Sequence, residues 1–200
     1  MARTVMRPDE RRAELLDTAM QLFAAKGYDN VSVRAVARAA GVAPGLAYHY
    51  FDSKERMFAE AIGQYAGHCA KGICTVLDNR NLSLDEKIER AVTLAGKHDF
   101  PYADYFHDEQ DDEGHGTLHD RLSLALCEEV RPHLAAALEQ DARERGGRAA
   151  DADKLAAIMT YGCIGLASGP SMPNAASLAA ARRYLGALVA GFRAGSALAH

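Results

Sequence analysis

The 200-residue sequence predicts an all-α protein in which a small N-terminal three-helix domain precedes a larger C-terminal helical bundle. Three observations support this fold class. Apolar residues recur at helical spacing in almost every segment, and no stretch of useful length alternates apolar and polar residues as a strand would. Alanine is abundant, which favours helix throughout the chain. Hydrophobic residues make up 48% of the sequence, which is ordinary for a packed globular protein.

The first three predicted helices are short and closely spaced. The first runs from about residue 9 to residue 26, and Gly27 stands where a C-terminal cap belongs. Ser32 can cap the second helix. After a tight glycine-centred turn, Pro44 fits the first position of a third helix, where its missing N–H costs nothing, and this helix ends near Tyr50.

The fourth predicted helix leaves this N-terminal region. Phe51 is expected to be a buried anchor, and Asp52 with Glu55 has the spacing of a capping box that would open the helix. We therefore predict an N-terminal domain over residues 1–52 and a C-terminal domain over residues 53–200, with the fourth helix connecting the two.

The remaining helices are predicted from apolar spacing and from turn residues. Residues 108–116 are expected to form a solvated loop. Pro132 lies inside a long apolar pattern and should kink or divide that helix. The later helices are expected at about residues 84–95, 118–138, 152–168 and 175–194.

Charge is distributed unevenly along the chain. Residues 1–60 hold nine Lys or Arg and eight Asp or Glu, a net of +1, whereas residues 61–200 hold fourteen and nineteen, a net of −5. Phosphate attraction is screened beyond about 8 Å at physiological salt, so local charge decides nucleic-acid binding. The sequence has no secretory signal, no apolar run of ~20 residues and no C-x-x-C pair. We therefore expect a cytoplasmic protein with reduced thiols and no membrane partner.

The N-terminal pattern is that of a helix-turn-helix, which places a third helix in the major groove of DNA. From Arg11 to Ile62 the chain contains, at fixed spacing, L-F-x-x-x-G-Y, S-V-x-x-V-A, A-G-V, G-x-x-Y-x-Y-F and S-K-E. This segment closely resembles the DNA-binding domain of the TetR family. The resemblance covers about a quarter of the chain. It implies a dimeric repressor that binds palindromic operator DNA and is released when a small-molecule effector enters its C-terminal domain.

Two positions depart from the family pattern. Ala47 stands where leucine is usual, which leaves less volume in the helix-turn-helix core, and Leu46 is expected to compensate. Ala43 replaces the usual serine at the start of the third helix, which removes a cap and one phosphate hydrogen bond. We expect an altered sequence preference and retained DNA binding.

The predicted contacts to DNA follow from side-chain chemistry together with the resemblance. Tyr48, Tyr50 and Lys54 would donate hydrogen bonds to phosphates, which fixes the register without reading sequence. Leu46 could contact a thymine methyl group, and His49 could bond a base edge or a phosphate. The complete predicted DNA-binding set is Ser32, Val33, Arg34, Pro44, Gly45, Leu46, Tyr48, His49, Tyr50 and Lys54.

The C-terminal domain does not identify its ligand from sequence. An effector pocket is expected where aromatic and polar residues concentrate, and a shift of the fourth helix would change the spacing of the two reading helices. The predicted pocket residues are Tyr65, His68, Cys69, Phe100, Tyr102, Tyr105, Phe106, Tyr161 and Cys163. A four-helix interface between the last two helices of each subunit is predicted to use Leu155, Met159, Gly162, Leu166, Leu185, Leu188, Val189 and Phe192.

An alternative function rests on the segment from His107 to His119. Five of the six residues 108–113 are acidic, and His115 and His119 are four apart, a spacing that on a helix suits metal ligands. Glycines at 114 and 116 argue against a helix there. A metal-responsive regulator therefore stays an alternative, and a metal-dependent hydrolase a weaker one, because no acid–base pair or nucleophile stands in a recognisable setting. We expect no enzyme activity and no cofactor, and we assign no metal ligands.

Overall fold

A computed structural model describes residues 7–97, 113–167 and 174–197 of the chain. Within these residues the secondary structure is helical, which confirms the all-α prediction. The helices are α1 (Pro8–Lys26), α2 (Val33–Ala39), α3 (Pro44–Tyr50), α4 (Lys54–Asp78), α5 (Leu84–Ala95), α6 (Glu113–Glu144), α7 (Ala152–Ala167) and α8 (Ala175–Ala197).

The described residues divide into two compact units. The N-terminal unit comprises residues 7–68 and 113–122, and the C-terminal unit comprises residues 69–97, 123–167 and 174–197. Helices α4 and α6 each contribute to both units. The sequence motifs divide the chain after residue 52, whereas the compact N-terminal unit extends along α4 to His68 and includes the first turns of α6.

The N-terminal unit is held together by aromatic and aliphatic side chains from α1 to α4. Phe23 on α1 and Phe51 between α3 and α4 are fully buried, and Phe58 on α4 packs edge-on against Phe23 with ring centroids 4.8 Å apart. Leu118 and Leu122 on α6 are also buried. Phe51 is thus the buried anchor that the sequence predicts.

The C-terminal unit has a second core, formed by α5, α6, α7, α8 and the end of α4. Its members are aliphatic, and Leu138 on α6, Met159 on α7 and Val189 on α8 are almost completely inaccessible. Arg193 on α8 donates hydrogen bonds to Asp141 and Asp85, which joins three of these helices at the edge of the core.

Helix α6 corrects two sequence-based predictions. It begins at Glu113, so the end of the predicted 108–116 loop is helical. It continues through Pro132 without dividing, so of the predicted kink or division the division is wrong, and the kink stays a prediction. A glycine costs a helix only ~1 kcal/mol, and burial of Leu118 can offset that. Proline costs ~3 kcal/mol inside a helix, which buried residues on both sides of it, including Cys127 and Leu138, offset.

The start of α4 corrects a third prediction. Ser53, and not Asp52, caps the helix, because the Ser53 Oγ accepts a hydrogen bond from the Arg56 N–H at 3.1 Å. Asp52 instead accepts a hydrogen bond from the Arg56 guanidinium at 2.9 Å. In the described part of the chain, no helix is both long and apolar enough to cross a membrane.

Candidate nucleic-acid interface

The geometry of α2 follows from its cap and from the turn after it. The Ser32 Oγ accepts a hydrogen bond from the Ala35 N–H at 3.2 Å, as predicted for an N-terminal cap. Gly41 has a φ of 67°, a conformation that side chains other than glycine rarely adopt. The Val42 N–H then donates to the Ala37 carbonyl at 2.9 Å, which closes the turn and directs the chain into α3.

Helix α3 starts at Pro44, with Ala43 as a cap that makes no side-chain hydrogen bond. The departure at Ala43 therefore removes a cap, as the sequence indicates. Ala47 is completely buried against the core, whereas Leu46 is 37% exposed. The expectation that Leu46 fills the space left by Ala47 is wrong, because the Leu46 side chain is exposed and not buried in the core.

The predicted DNA-binding residues mostly lie at the surface. Tyr48 is 45% exposed, and His49 beside it is also exposed. Tyr50 is half-buried and packs edge-on against His49, with ring centroids 5.5 Å apart. Val33 is the exception, because its side chain is buried and belongs to the core. The exposed members of the set are Ser32, Arg34, Pro44, Gly45, Leu46, Tyr48 and His49.

Lys54 is held in place before any ligand arrives. Its ammonium Nζ lies 4.1 Å from the centroid of the Tyr28 ring and donates to the Asp29 carbonyl at 3.3 Å. Both contacts restrict a side chain that is flexible when isolated, and a cation over an aromatic face is attracted by the negative charge of that face. Lys54 as a whole is half-exposed, and its predicted phosphate contact stays a prediction.

Tyr28 was missed as a functional residue, although the G-Y element of the motif pointed to it. Its hydroxyl donates to the Glu55 Oε1 at 3.2 Å. Burial, followed by this hydrogen bond, raises the pKa of Tyr28, so the ring stays neutral and can lie beneath Lys54. The pKa of Glu55 is lowered, chiefly by its own backbone N–H and by Ser53, so Glu55 remains an acceptor.

The residues predicted to line an effector pocket are only partly described. Tyr65 and Cys69 are buried on α4, and His68 lies at the surface. Cys163 is half-buried on α7, and burial raises the pKa of its thiol to about 11. Four members lie outside the described residues, namely Phe100, Tyr102, Tyr105 and Phe106. The pocket therefore stays a prediction.

Tyr161 was also predicted to line that pocket, but it lies at the surface. It is 37% exposed on α7 and donates its hydroxyl to the Glu128 carboxylate on α6. This bond, followed by burial, raises the pKa of the Tyr161 phenol.

The predicted dimer-interface residues divide between the core and the surface. Met159, Leu185 and Val189 are buried within one subunit, so they have little surface to offer a partner, and their assignment to an interface stays a prediction. Leu155, Leu188 and Phe192 pack against the same core. Gly162 and Leu166 are exposed, as an interface requires. Apolar spacing indicates that α7 and α8 each have a buried face. When two faces of a helix are apolar, the spacing does not show which one packs in the core of the subunit.

The segment considered for metal binding is partly helical, but the described side chains form no cluster of metal ligands. His107 and residues 108–112 lie outside the described residues. Helix α6 places positions 115 and 119 one helical turn apart, contrary to the expectation that glycines prevent a helix there. Among the described side chains, no three His, Cys, Asp or Glu residues form a group that could hold a metal ion.

In the described part of the chain, α2, the turn at Gly41 and the exposed α3 form a helix-turn-helix, the arrangement that places a short helix in the major groove of DNA. Residues 15–61 match the family described as bacterial regulatory proteins, tetR family. The HTH-type transcriptional repressor KstR2 of Rhodococcus jostii (strain RHA1) is 52% identical over 52 residues, which are 26% of this chain and 26% of KstR2. The N-terminal part of the chain therefore matches the tetR family of bacterial regulatory proteins.

Longer alignments are weaker. The HTH-type transcriptional regulator BetI of Brucella anthropi is 29% identical over 181 residues, covering 84% of this chain and 87% of BetI. The structure of Salmonella enterica GusR covers 94% of this chain and 100% of its own, with a TM-score of 0.62 and 20% identity, and it shows a shared fold. The alignments with two KstR2 proteins span only 26% and 30% of the lengths of those proteins.

Proposed function

We propose that this protein is a cytoplasmic, dimeric transcriptional regulator that binds operator DNA through α3 and represses transcription until a small molecule weakens that binding. The observation that carries the proposal is the arrangement of α3. The helix is anchored by the buried Ala47 and Phe51 and exposes Tyr48 and His49. The tetR family of regulatory proteins matches residues 15–61, and similar proteins are named repressors or regulators, which supports the same function here.

The proposed DNA contacts fall into two groups. Lys54 and Tyr48 would bind phosphates on either side of the groove, and Ser32 at the start of α2 would bind another phosphate. Leu46 and His49 would face base edges and account for part of the sequence preference. Gly45 carries no side chain, so α3 could approach the bases closely at this point.

The first test is DNA binding measured by fluorescence anisotropy over a series of salt concentrations. The DNA comes from the region upstream of the protein's own gene, and a randomised-DNA selection replaces it if that region does not bind. We expect tight binding with a steep salt dependence, because counterions are released at every neutralised phosphate. Lys54→Met should weaken binding and reduce the slope of log K against log salt by about 0.9, the contribution of one phosphate contact.

Lys71→Met provides the matched control for Lys54→Met. Lys71 is an exposed lysine on the same helix but lies in the C-terminal unit. It should leave both the affinity and the salt slope unchanged. If the folded protein selected no DNA from a random pool at low salt, or if both substitutions had the same effect, the proposed interface would be wrong.

The proposed dimer uses the exposed apolar face of α7 and α8, which keeps Gly162 and Leu166 from the set predicted by sequence and adds Ile158 and Tyr184. Ile158 is 61% exposed, Leu166 is 41% exposed and Tyr184 is 52% exposed. Glycines at 162, 165, 186 and 191 are interspersed along the two helices, and added Cβ atoms at these positions would meet nothing within one subunit. A second copy could therefore approach closely and cover the apolar side chains.

Sedimentation analysis tests the dimer. Ile158→Asp should shift the protein from dimer to monomer, because it would place a charge in a desolvated interface. Leu124→Asp is the control, since Leu124 is a comparably exposed apolar residue, at 53%, on α6. A monomeric wild-type protein, or an Ile158→Asp variant that dimerises with unchanged affinity, would exclude this interface.

Effector release is proposed to act through α4, from Phe58 to Tyr65. Both residues are buried in the N-terminal unit, and α4 continues without a break into the C-terminal unit. A ligand that binds the two states with different affinities would shift α4 and weaken DNA binding about 5- to 150-fold. Compounds that raise the melting temperature would be tested by anisotropy. A stabilising compound that leaves DNA affinity unchanged would not be such an effector.

A further inference from the structure

Helix α6 places an exposed arginine beside an aromatic ring of the N-terminal unit. The first turns of α6 belong to the N-terminal unit, where Leu118 and Leu122 are buried. Between these two positions, Arg121 places the carbon of its guanidinium 5.6 Å from the centroid of the Phe58 ring. The sequence gives no reason to single out this arginine, because it lies far along the chain from the helix-turn-helix.

Phe58 is the first of two rings that connect Arg121 to Lys54. The rings of Phe58 and Tyr28, which we call the aromatic bridge, have centroids 4.7 Å apart. Phe58 is also fixed from the other side by Phe23, at 4.8 Å. The far end of the bridge carries the Lys54 ammonium, 4.1 Å from the centroid of Tyr28.

We propose that Arg121 on α6 is a positioning residue for DNA binding, which holds the aromatic bridge so that Tyr28 presents the Lys54 ammonium to a phosphate. The proposal rests on the proposed function, in which Lys54 binds DNA. It adds a residue outside the helix-turn-helix to the determinants of operator affinity.

The physical basis is that each contact limits the freedom of the next. Aromatic pairs prefer edge-on or offset geometries at these centroid distances, so tilting Phe58 would displace Tyr28. An arginine over a ring face favours one orientation of that ring. The Arg121 charge is also close enough to act on Tyr28, since it opposes the rise in the Tyr28 pKa that burial causes.

A double-mutant cycle on operator binding tests the proposal. Arg121→Gln should weaken binding about two- to five-fold, which corresponds to the ~0.5–1 kcal/mol of an exposed cation–π contact. In a Lys54→Met background the same substitution should have no further effect, because Arg121 acts only through Lys54. Arg121→Lys keeps a cation over Phe58 and should restore most of the affinity.

Arg12 supplies the matched control, because its guanidinium carbon lies 5.4 Å from the Phe51 ring centroid in the same unit and does not lead to Lys54. Arg12→Gln should combine additively with Lys54→Met. If Arg121→Gln were also additive with Lys54→Met, Arg121 would act by general charge or by stability, and the proposal would be overturned.

A measurement without DNA separates this proposal from the proposed function. In protein labelled with ¹³C at the lysine ε-carbons, the Lys54 signal should be shifted upfield by the Tyr28 ring, and the Lys54→Arg variant assigns it. Arg121→Gln should reduce that shift, while Arg12→Gln should not. An unchanged Lys54 signal in Arg121→Gln overturns the positioning role even if DNA binds. If Arg121→Gln reduces the upfield shift of the Lys54 signal but the wild-type protein binds no DNA, the aromatic bridge is supported and the proposed function is rejected.

Discussion

The N-terminal and C-terminal units are built from the same kind of helix, yet their sequences carry very different amounts of information. KstR2 of Rhodococcus jostii shares 52% of residues over 52 positions, and BetI of Brucella anthropi shares 29% over 181 positions. The model of the tetR family matches residues 15–61, which lie in the N-terminal unit.

The difference has a physical origin. In the N-terminal unit single residues meet several demands: Gly41 must adopt a positive φ, Ser32 must cap α2 while facing outward, and the half-buried Tyr28 must pack against Phe58 while supporting Lys54. In the C-terminal unit the core consists largely of Ala, Leu, Val and Ile, which exchange readily if volume is kept. A residue that only fills volume in a core can be replaced by another apolar residue, so the C-terminal core has no distinctive sequence motif.

Truncating one core residue in each unit gives the largest expected effect. Phe23→Ala should lower the free energy of unfolding by ~3–5 kcal/mol, and Leu138→Ala by ~2–5 kcal/mol, since both side chains are completely buried. Hydrogen exchange measured segment by segment should show faster exchange in α1, α2 and α3 for Phe23→Ala and in α5 to α8 for Leu138→Ala. Equal acceleration in all helices would mean that the two units unfold as one.

The helix-turn-helix was almost fully predictable from sequence, down to the cap at Ser32 and the anchor at Phe51. The failures have separate causes. Leu46 was expected to replace the missing volume at Ala47, but position on a short helix and not size decides which side chain is buried. Ser53 and Asp52 are adjacent, and the side-chain oxygen of either could accept the hydrogen bond that caps α4. Spacing alone does not show which of the two does so.

The C-terminal unit was less predictable. The helices were found, but Met159 and Val189, predicted for a subunit interface, are buried in the core of one chain. The sequence of a helix with two apolar faces does not show which face packs within its own chain. The role of Arg121 could not be found from sequence either, since its contact with Phe58 joins positions 63 residues apart (121 minus 58).

Two serine caps, one in each unit, allow an effect on stability to be separated from an effect on DNA binding. Ser32 caps α2, and Ser83 caps α5 in a capping box with Glu86. Either serine-to-alanine change should lower the free energy of unfolding by ~1 kcal/mol. Only Ser32→Ala should also weaken DNA binding beyond the lost stability, measured by anisotropy at a temperature where both variants are folded. Equal affinities for the two variants would remove Ser32 from the DNA-binding set.

Two lysines extend the comparison to pH. Lys54 is half-exposed, whereas Lys87 is 2% exposed and donates to the Gln140 Oε1 at 3.0 Å. Burial lowers the pKa of Lys87 below its usual value of 10.5, against opposing effects from Glu144 and Asp78. Because the folded pKa lies below the unfolded one, the ammonium costs stability at neutral pH, and that cost disappears as the pH rises through the folded pKa towards 10.5.

Lys87→Met should therefore raise the free energy of unfolding by roughly 1 kcal/mol at neutral pH, as apolar replacement of a buried ion often does. Urea denaturation should show that this gain shrinks towards about pH 10, where the unfolded lysine also begins to lose its proton. Lys54→Met should show no such gain. A Lys87→Met variant that is less stable at every pH would mean that the hydrogen bond to Gln140 outweighs the cost of burial.

The smallest expected effects come from two glycines on α4, one in each unit. A Cβ at Gly63 would meet nothing within 4 Å, and one at Gly72 would meet only Leu94 Cδ1 at 3.7 Å, an ordinary contact. Each glycine-to-alanine change should raise the free energy of unfolding by ~0.5–1 kcal/mol. The melting temperature should rise accordingly, by about 2–4 °C for each kcal/mol. Gly96→Ala is the contrast, because its Cβ would lie 2.6 Å from Leu178 Cδ1 and should cancel the gain.

These glycines also test what α4 does between the units. If the proposed shift of α4 depends on bending within the helix, Gly63→Ala and Gly72→Ala should reduce the effect of an effector on DNA affinity while stabilising the protein. If α4 moves as a rigid rod, both variants should be more stable and the coupling should not change. Stability measured by melting and coupling measured by anisotropy would therefore separate these two forms of the mechanism, because alanine removes backbone freedom without adding a contact that favours either state.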